Sequence, residues 1–348
     1  MAYSTISKST LHFETKLWTG NGSTQTITGF GFQPDMVWLK QRTSSTRNHN
    51  LYDAVRGATA RIYPDDTSGQ DTASNGLTGF TSDGFTLGND TSNSENSGTY
   101  VSWNWKAGGA GSANTDGDIN STVSVNTTAG FSIVKYTGNG SSNQSIGHGL
   151  GVRPKMIIIK NLDTAGAWMV WHDSLTSGSG TQKFLQLDNN NAQNNGSAGD
   201  FPYEPTTSVF KVGSYDTMNK SGDDIIAYCF TPITGFSSFG KFIGNGSTDG
   251  PFIYTGFKPS FVIAKESSST GHWRMRDNKR MTTGNPIDKL LRPDQSNAEQ
   301  TEDNVDFLSN GFKMRTTGGE NNGSGDTYIY MAFGQSLVGS NNVPCTAR

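Results

Sequence analysis

The sequence predicts an all-β protein of three tandem homologous β-sandwich units with jelly-roll-like topology, and three observations predict it. Apolar residues fall in runs of four to six, rich in β-branched and aromatic side chains and bounded by Gly, Asn, Asp and Pro; this is how short strands between turns read. No segment keeps a 3.6-residue apolar period over three turns, so long helices are not expected. One ordered set of landmarks occurs three times along the 348 residues, and self-similarity at a near-constant period marks a repeat architecture.

The landmarks run in the same order each time. A strand bearing Trp18, Tyr136 or Phe242 leads into Gly-Asn-Gly-Ser, at Gly20, Asn21, Gly22; at Gly138, Asn139, Gly140; and at Gly244, Asn245, Gly246. Asn-Gly favours positive φ, so each copy is expected to be a tight hairpin turn between two strands. A phosphate-binding loop is the sharper alternative, but no Gly-Lys-Ser/Thr follows. Pro34, Pro154 and Pro259 then open runs that are apolar throughout, as in a strand buried on both faces. Lys40, Lys160 and Lys265 stand six residues after each Pro; they are expected to end the strand with the ammonium in water. Asp53, Asp173 and Asp277 follow, read as turn caps. A short helical turn is conceivable around Leu51 to Arg56. Phe85, Phe210 and Phe312 mark a later strand. The closing strands alternate, so Val101, Trp103 and Trp105, then Ile226, Tyr228 and Phe230, then Ile329, Met331 and Phe333 should each point into a core.

The Gly-Asn-Gly-Ser copies start 118 and 106 residues apart. The division expected is an N-terminal arm (1–16), units at 17–108, 129–234 and 235–336, a Gly/Ser/Asn-rich linker (109–128) and a C-terminal tail (337–348). Sequence leaves open whether the units lie in a line or around a pseudo-threefold axis.

Composition excludes several functions. The 27 basic and 30 acidic residues give a net charge of −3 without blocks of one sign, so no nucleic-acid footprint is expected. No apolar stretch approaches the length of a membrane span, and the start lacks the apolar core of a secretory signal. Two cysteines, Cys229 and Cys345, make no disulfide framework. Charged residues are only 16%, yet 7 Trp, 11 Tyr and 19 Phe are too many large aromatics for a disordered chain.

No catalytic constellation emerges, and no cofactor or metal is expected. His172 does not recur in the other copies, and the five His do not cluster in the repeat frame. The acid pairs Asp65-Asp66 and Asp223-Asp224 read as solvated turns, since neighbours on a strand face opposite ways. Asp116-Gly117-Asp118 and Asp188 with its Asn run offer oxygen ligands for Ca²⁺, without the full twelve-residue loop pattern. Trp168, Trp171 and Trp273 are the candidate glycan or partner contacts, because an exposed aromatic can stack on a sugar face. The competing reading puts them in a core strand.

The runs Trp18-Thr19-Gly20-Asn21-Gly22-Ser23, Gly31-Phe32-Gln33-Pro34-Asp35, Trp103-Asn104-Trp105-Lys106-Ala107-Gly108-Gly109, Ala129 to Gly140 and Asp306 to Lys313 resemble an uncharacterised repeat family of virion proteins from marine bacteriophages. The resemblance covers nearly the whole chain. It implies a non-enzymatic structural protein of the virion, a tail-fibre and host-adhesion component or a head decoration, assembled in the bacterial cytoplasm. It brings no catalytic residues. The implied partners are other virion proteins, docked by the arm and tail, and a host surface glycan. A homotrimer is compatible with it. A glycan-binding module array and a polysaccharide depolymerase are the alternatives.

Overall fold

The computed structural model describes residues 5–44, 46–175, 182–196 and 200–336. The chain is all-β, with three helical turns of four residues each among the described residues. One antiparallel four-strand order occurs three times. Each begins with an entry strand: Phe13–Thr19, Phe131–Thr137 or Ser237–Ile243. The entry strand pairs with the closing strand: Thr99–Trp105, Asp224–Phe230 or Thr327–Gly334. The closing strand pairs with the buried strand that follows Pro: Met36–Gln41, Met156–Asn161 or Pro259–Glu266. A flanking strand completes the row: Asn50–Asp53, Met169–His172 or Arg274–Asp277. Registers match as well, for Trp105, Phe230 and Phe333 lie opposite Met36, Met156 and Phe261.

Each sheet is the inner layer of a two-layered lobe. The outer layer contains the strand after Gly-Asn-Gly-Ser paired with the Phe-bearing strand, with Ile27 opposite Phe85, Ile146 opposite Phe210 and Ile253 opposite Phe312. The buried strands explain their unbroken apolarity. Val37 and Leu39 face the outer layer of the first lobe, while Met36 and Trp38 face inward. Ile157 and Ile159 face outward in the second lobe, while Met156 and Ile158 face inward.

The inner faces do not form three separate cores. All nine alternating residues of the closing strands belong to one cluster that draws on the three sheets. At its centre the rings of Trp105, Phe230 and Phe333 touch pairwise, with centroids 5.8 to 6.4 Å apart. Backbone hydrogen bonds at the lobe seams form a closed cycle. Gln70 N donates to Leu162 O (2.6 Å), Gln193 N to Ser267 O (2.9 Å) and Glu299 N to Arg42 O (2.8 Å). First joins second, second joins third, and third joins first, so the arrangement is a ring and not a line.

Several expectations need correction. The Gly-Asn-Gly-Ser segments are not hairpin turns, because the strands on either side pair with different partners in different layers. They are arches between layers. Gly22, Gly140 and Gly246 have φ of +70°, +71° and +64°, and each Asn Oδ1 accepts a bond from the Ser N two residues on. A Cβ at Gly20, Gly138 or Gly244 would come within 2.3 Å of a backbone oxygen, so the first glycine is needed for close approach. The stretch 109–128 is no linker. Ser112–Asn114 and Ser121–Asn126 are strands that extend one edge of the second sheet, and Leu185–Gln186 at the other edge brings it to seven. The arm is shorter than 1–16, since Phe13 already begins the first entry strand. Leu51 to Arg56 is a strand end followed by a turn. The tail 337–348, with Cys345, lies outside the described residues.

Each arch is pinned from beneath by a fully buried side chain. Asn219 Nδ2 donates to Asn139 Oδ1, Ser141 O and Gly213 O, and Asn322 Nδ2 donates to Asn245 Oδ1, Ser247 O and Thr316 O. In the first lobe Ser94 Oγ takes the place of the amide, donating to Asn21 Oδ1 and Ser23 O. Asn219→Ala and Asn322→Ala are each expected to cost about 3 kcal/mol, from lost bonds and stranded carbonyls, and Ser94→Ala about 1–2 kcal/mol. Urea unfolding followed by tryptophan fluorescence measures the order; equal losses at all three would contradict it.

Candidate functional site

The polar groups singled out in the sequence converge on the seams between lobes. Trp168, Trp171 and Trp273 are at most 2% exposed, so none presents a ring to an external sugar. Trp168 Nε1 donates to Tyr63 O of the first lobe (2.8 Å), and Trp273 Nε1 donates to Gln186 O of the second (2.8 Å). At the remaining seam, His49 Nε2 lies 3.1 Å from Arg292 O of the third. Trp171 packs in the second lobe's own core, beneath the Arg153 guanidinium. The tryptophans are therefore core residues, as the competing reading had them, with Trp168 and Trp273 also bonded to the neighbouring lobe.

The recurring aspartates also work at the seams. Asp53 Oδ1 accepts Val55 N and Arg56 N, and Asp277 Oδ1 accepts Lys279 N and Arg280 N, as turn caps should. Their other oxygens bind Arg56 Nε (2.5 Å) and Arg280 Nε (2.6 Å). Each carboxylate then receives a donor from another lobe's closing strand: Tyr228 Oη to Asp53 (2.7 Å) and Trp103 Nε1 to Asp277 (3.0 Å). In the corresponding closing-strand position the third lobe has Met331, which has no such donor. Asp173 pairs instead with Arg153 and Lys155 near the surface.

The lysines contradict their expected place in water. Lys40, Lys160 and Lys265 are at most 1% exposed. Lys40 Nζ donates to Gln41 O and Ser44 O, Lys160 Nζ to Gly166 O and to Thr67 O of the first lobe, and Lys265 Nζ to Glu266 O. Burial pushes each ammonium down to about 8, against the pull of Asp65 on Lys40, of Asp188 and Asp66 on Lys160, and of Glu266 and Asp294 on Lys265. The same burial raises Asp65, to about 7, and Asp188 and Asp294. Asp65 is thus not a solvated turn acid; it accepts His49 N, and Asp188 accepts Trp168 N in the second lobe. Asp65, Asp188 and Asp294 stand 25, 28 and 29 residues after their lysines, an uneven spacing that hides them as landmarks. Their signal was an acid shortly after an apolar or Pro residue in each copy.

A lysine with a lowered pKa is a potential nucleophile or base. Here the ammonium protons are spent on backbone carbonyls in sites closed to solvent, which is the chemistry of a structural strut. In the exposed candidate Ca²⁺ loop, Asp118 accepts Ser145 N and Oγ, and Asp116 accepts Asn114 Nδ2. Asp223 and Asp224 pair with Lys220 and Lys135. Among the described residues, no group of three or more His, Cys, Asp or Glu could hold a metal, and no helix is long and apolar enough to cross a membrane.

A family model described as a domain of unknown function, DUF7483, matches residues 8–336. The chain belongs to this family. The DUF7483 match runs from just before the first entry strand to the end of the third sheet, so the family unit is the whole ring and not one lobe. No curated protein and no solved structure matches the chain.

The lysines fix a pH dependence. Between about 8 and 10 they are neutral in the fold and protonated in the unfolded chain, so the unfolded chain binds more protons and stability rises with pH. Below this window Asp65 works the other way, since its raised pKa lets the fold hold a proton up to about 7, and stability falls as pH rises toward that value. The urea midpoint should therefore be higher at pH 9.5 than at pH 8. Lys160→Met should make that rise smaller. A flat or falling midpoint over this window would contradict the buried lysines.

Proposed function

We propose that this DUF7483 chain is a non-enzymatic structural protein of a bacteriophage particle, exposed on its surface as a tail-fibre or host-adhesion component or as a head decoration. The observation that carries the reading is how the reactive-looking side chains are used. The lysines, Asp53 and Asp277, and two of the three tryptophans bind across or beside the seams of a ring. Such a body presents its outer layers and polar loops to partners. The sequence resemblance to marine phage virion proteins supports the same reading. The ring closes within one chain, so threefold organisation does not require a homotrimer. Mass spectrometry of purified particles, with gold-labelled antibody in electron microscopy, tests the proposal. Label at the tail tip or over the head supports it; absence of the protein from purified particles overturns it.

A glycan-binding module is the second reading, and one surface favours it. Phe252 and Tyr254 stand on the same face of the edge strand Phe252–Tyr254, 45% and 64% exposed. Two exposed rings side by side support a sugar-stacking role for this surface of the third lobe, away from the buried tryptophans. On a glycan array, Phe252→Ala with Tyr254→Ala should abolish any binding that the native chain shows. Binding unchanged by the double substitution would exclude this surface.

A further inference from the structure

The third lobe also differs from the other two between its layers. The outward-facing pair of each flanking strand lies between the layers of its lobe. In the first lobe these residues are Asn50 and Tyr52, opposite Leu39 and Val37. In the second they are Met169 and Trp171, opposite Ile159 and Ile157. In the third they are Arg274 and Arg276, opposite Ala264 and Val262, and both arginines are buried.

Two guanidinium groups between apolar layers need compensating charge. Arg274 binds Glu302 (2.5 Å) and Glu320. Among the described residues, Arg276 reaches only the Glu302 oxygen already taken by Arg274, at 3.4 Å. Arg292 approaches the same two carboxylates at 3.7 and 3.6 Å. Three arginines thus share two glutamates. Glu266, the next carboxylate, is itself raised to about 6 by burial and by Asp326. Arg280, on the other side, is committed to Asp277 and Glu299. The Nε groups of Arg274, Arg276 and Arg292 are buried and have no hydrogen-bond partner among the described residues. Arg274, Arg276 and Glu320 wall a cavity of about 20 Å³, closed otherwise mostly by apolar side chains such as Val262, Ala264, Phe312 and Met314. Such a space suits roughly one atom of water size or a little more.

We propose that this cavity binds a monatomic anion of the halide class, held by Arg274 and Arg276. An anion there supplies negative charge to Arg274 and Arg276, which share one Glu302 oxygen. The apolar wall and small volume select a singly charged, weakly hydrated ion over phosphate, sulfate or an organic carboxylate.

Thermal unfolding of the full chain, in sodium chloride or bromide against sodium gluconate at matched ionic strength, tests the site. The halides should raise Tm, with a rise that grows as the logarithm of halide concentration above Kd, as for a ligand bound only by the fold, and Arg276→Met should remove the halide-specific rise. Crystals grown in bromide should show an anomalous peak between Arg274 and Arg276, a readout that holds even where the variant fails to fold. Equal Tm in halide and gluconate, a variant that keeps the full halide response, or bromide absent from the cavity would each overturn the proposal.

Discussion

The contact of Trp105, Phe230 and Phe333 at the centre of the ring is the constraint on which the rest of the structure depends. Each lies near the end of a closing strand, and each closing strand is hydrogen-bonded on both sides. Burying one aromatic side chain of this size is worth about 4–6 kcal/mol as an upper bound. The inner face of a four-stranded sheet carries several such groups, and in this molecule it is covered by the other two sheets. A lobe taken alone would present that face to water, well beyond the few hundred square ångströms of apolar patch usual on a monomer.

Sharing a core places polar backbone at the seams, and the molecule answers with buried donors. Trp168, Trp273 and His49 satisfy carbonyls across the three seams. The lysines satisfy others, at the cost of their own desolvation. The seams are not equivalent. Met331 leaves the junction of second and third lobes without the carboxylate bond made by Tyr228 and Trp103 elsewhere; His172 contacts Tyr330 O there, with Nε2 at 3.2 Å. Arg274 and Arg276 are a second divergence, inside a lobe and away from the ring centre.

Much of the fold was legible in the sequence because strands advertise their faces. The alternation of Val101, Trp103 and Trp105 gave the core face, and unbroken apolarity from Met36 to Leu39 gave a strand covered twice. Neither pattern names what does the covering, so ring and line read alike. Ser121–Asn126 was missed because only Val123 and Val125 alternate there among Ser and Thr, and pairing with Phe131–Thr137 supplies what their apolarity does not. The seam site was half legible. Lys40, Lys160 and Lys265 stood out by spacing, but a lysine at a strand end reads as solvated. Only tertiary placement of carbonyls such as Thr67 O and Gly166 O makes its burial tolerable. Trp168 and Trp273 read either as contacts for a glycan or partner or as core residues; they are buried, as in the core reading, and their bonds to a neighbouring lobe were not legible.

Scanning calorimetry of the intact chain tests the shared core most directly. If the lobes are one cooperative body, unfolding is a single transition. The van't Hoff enthalpy then matches the calorimetric enthalpy of roughly 240 kcal/mol that a chain of this length should show near 60 °C. Two or three resolved transitions, or a van't Hoff enthalpy near a third of the calorimetric value, would mean that the lobes fold on separate cores.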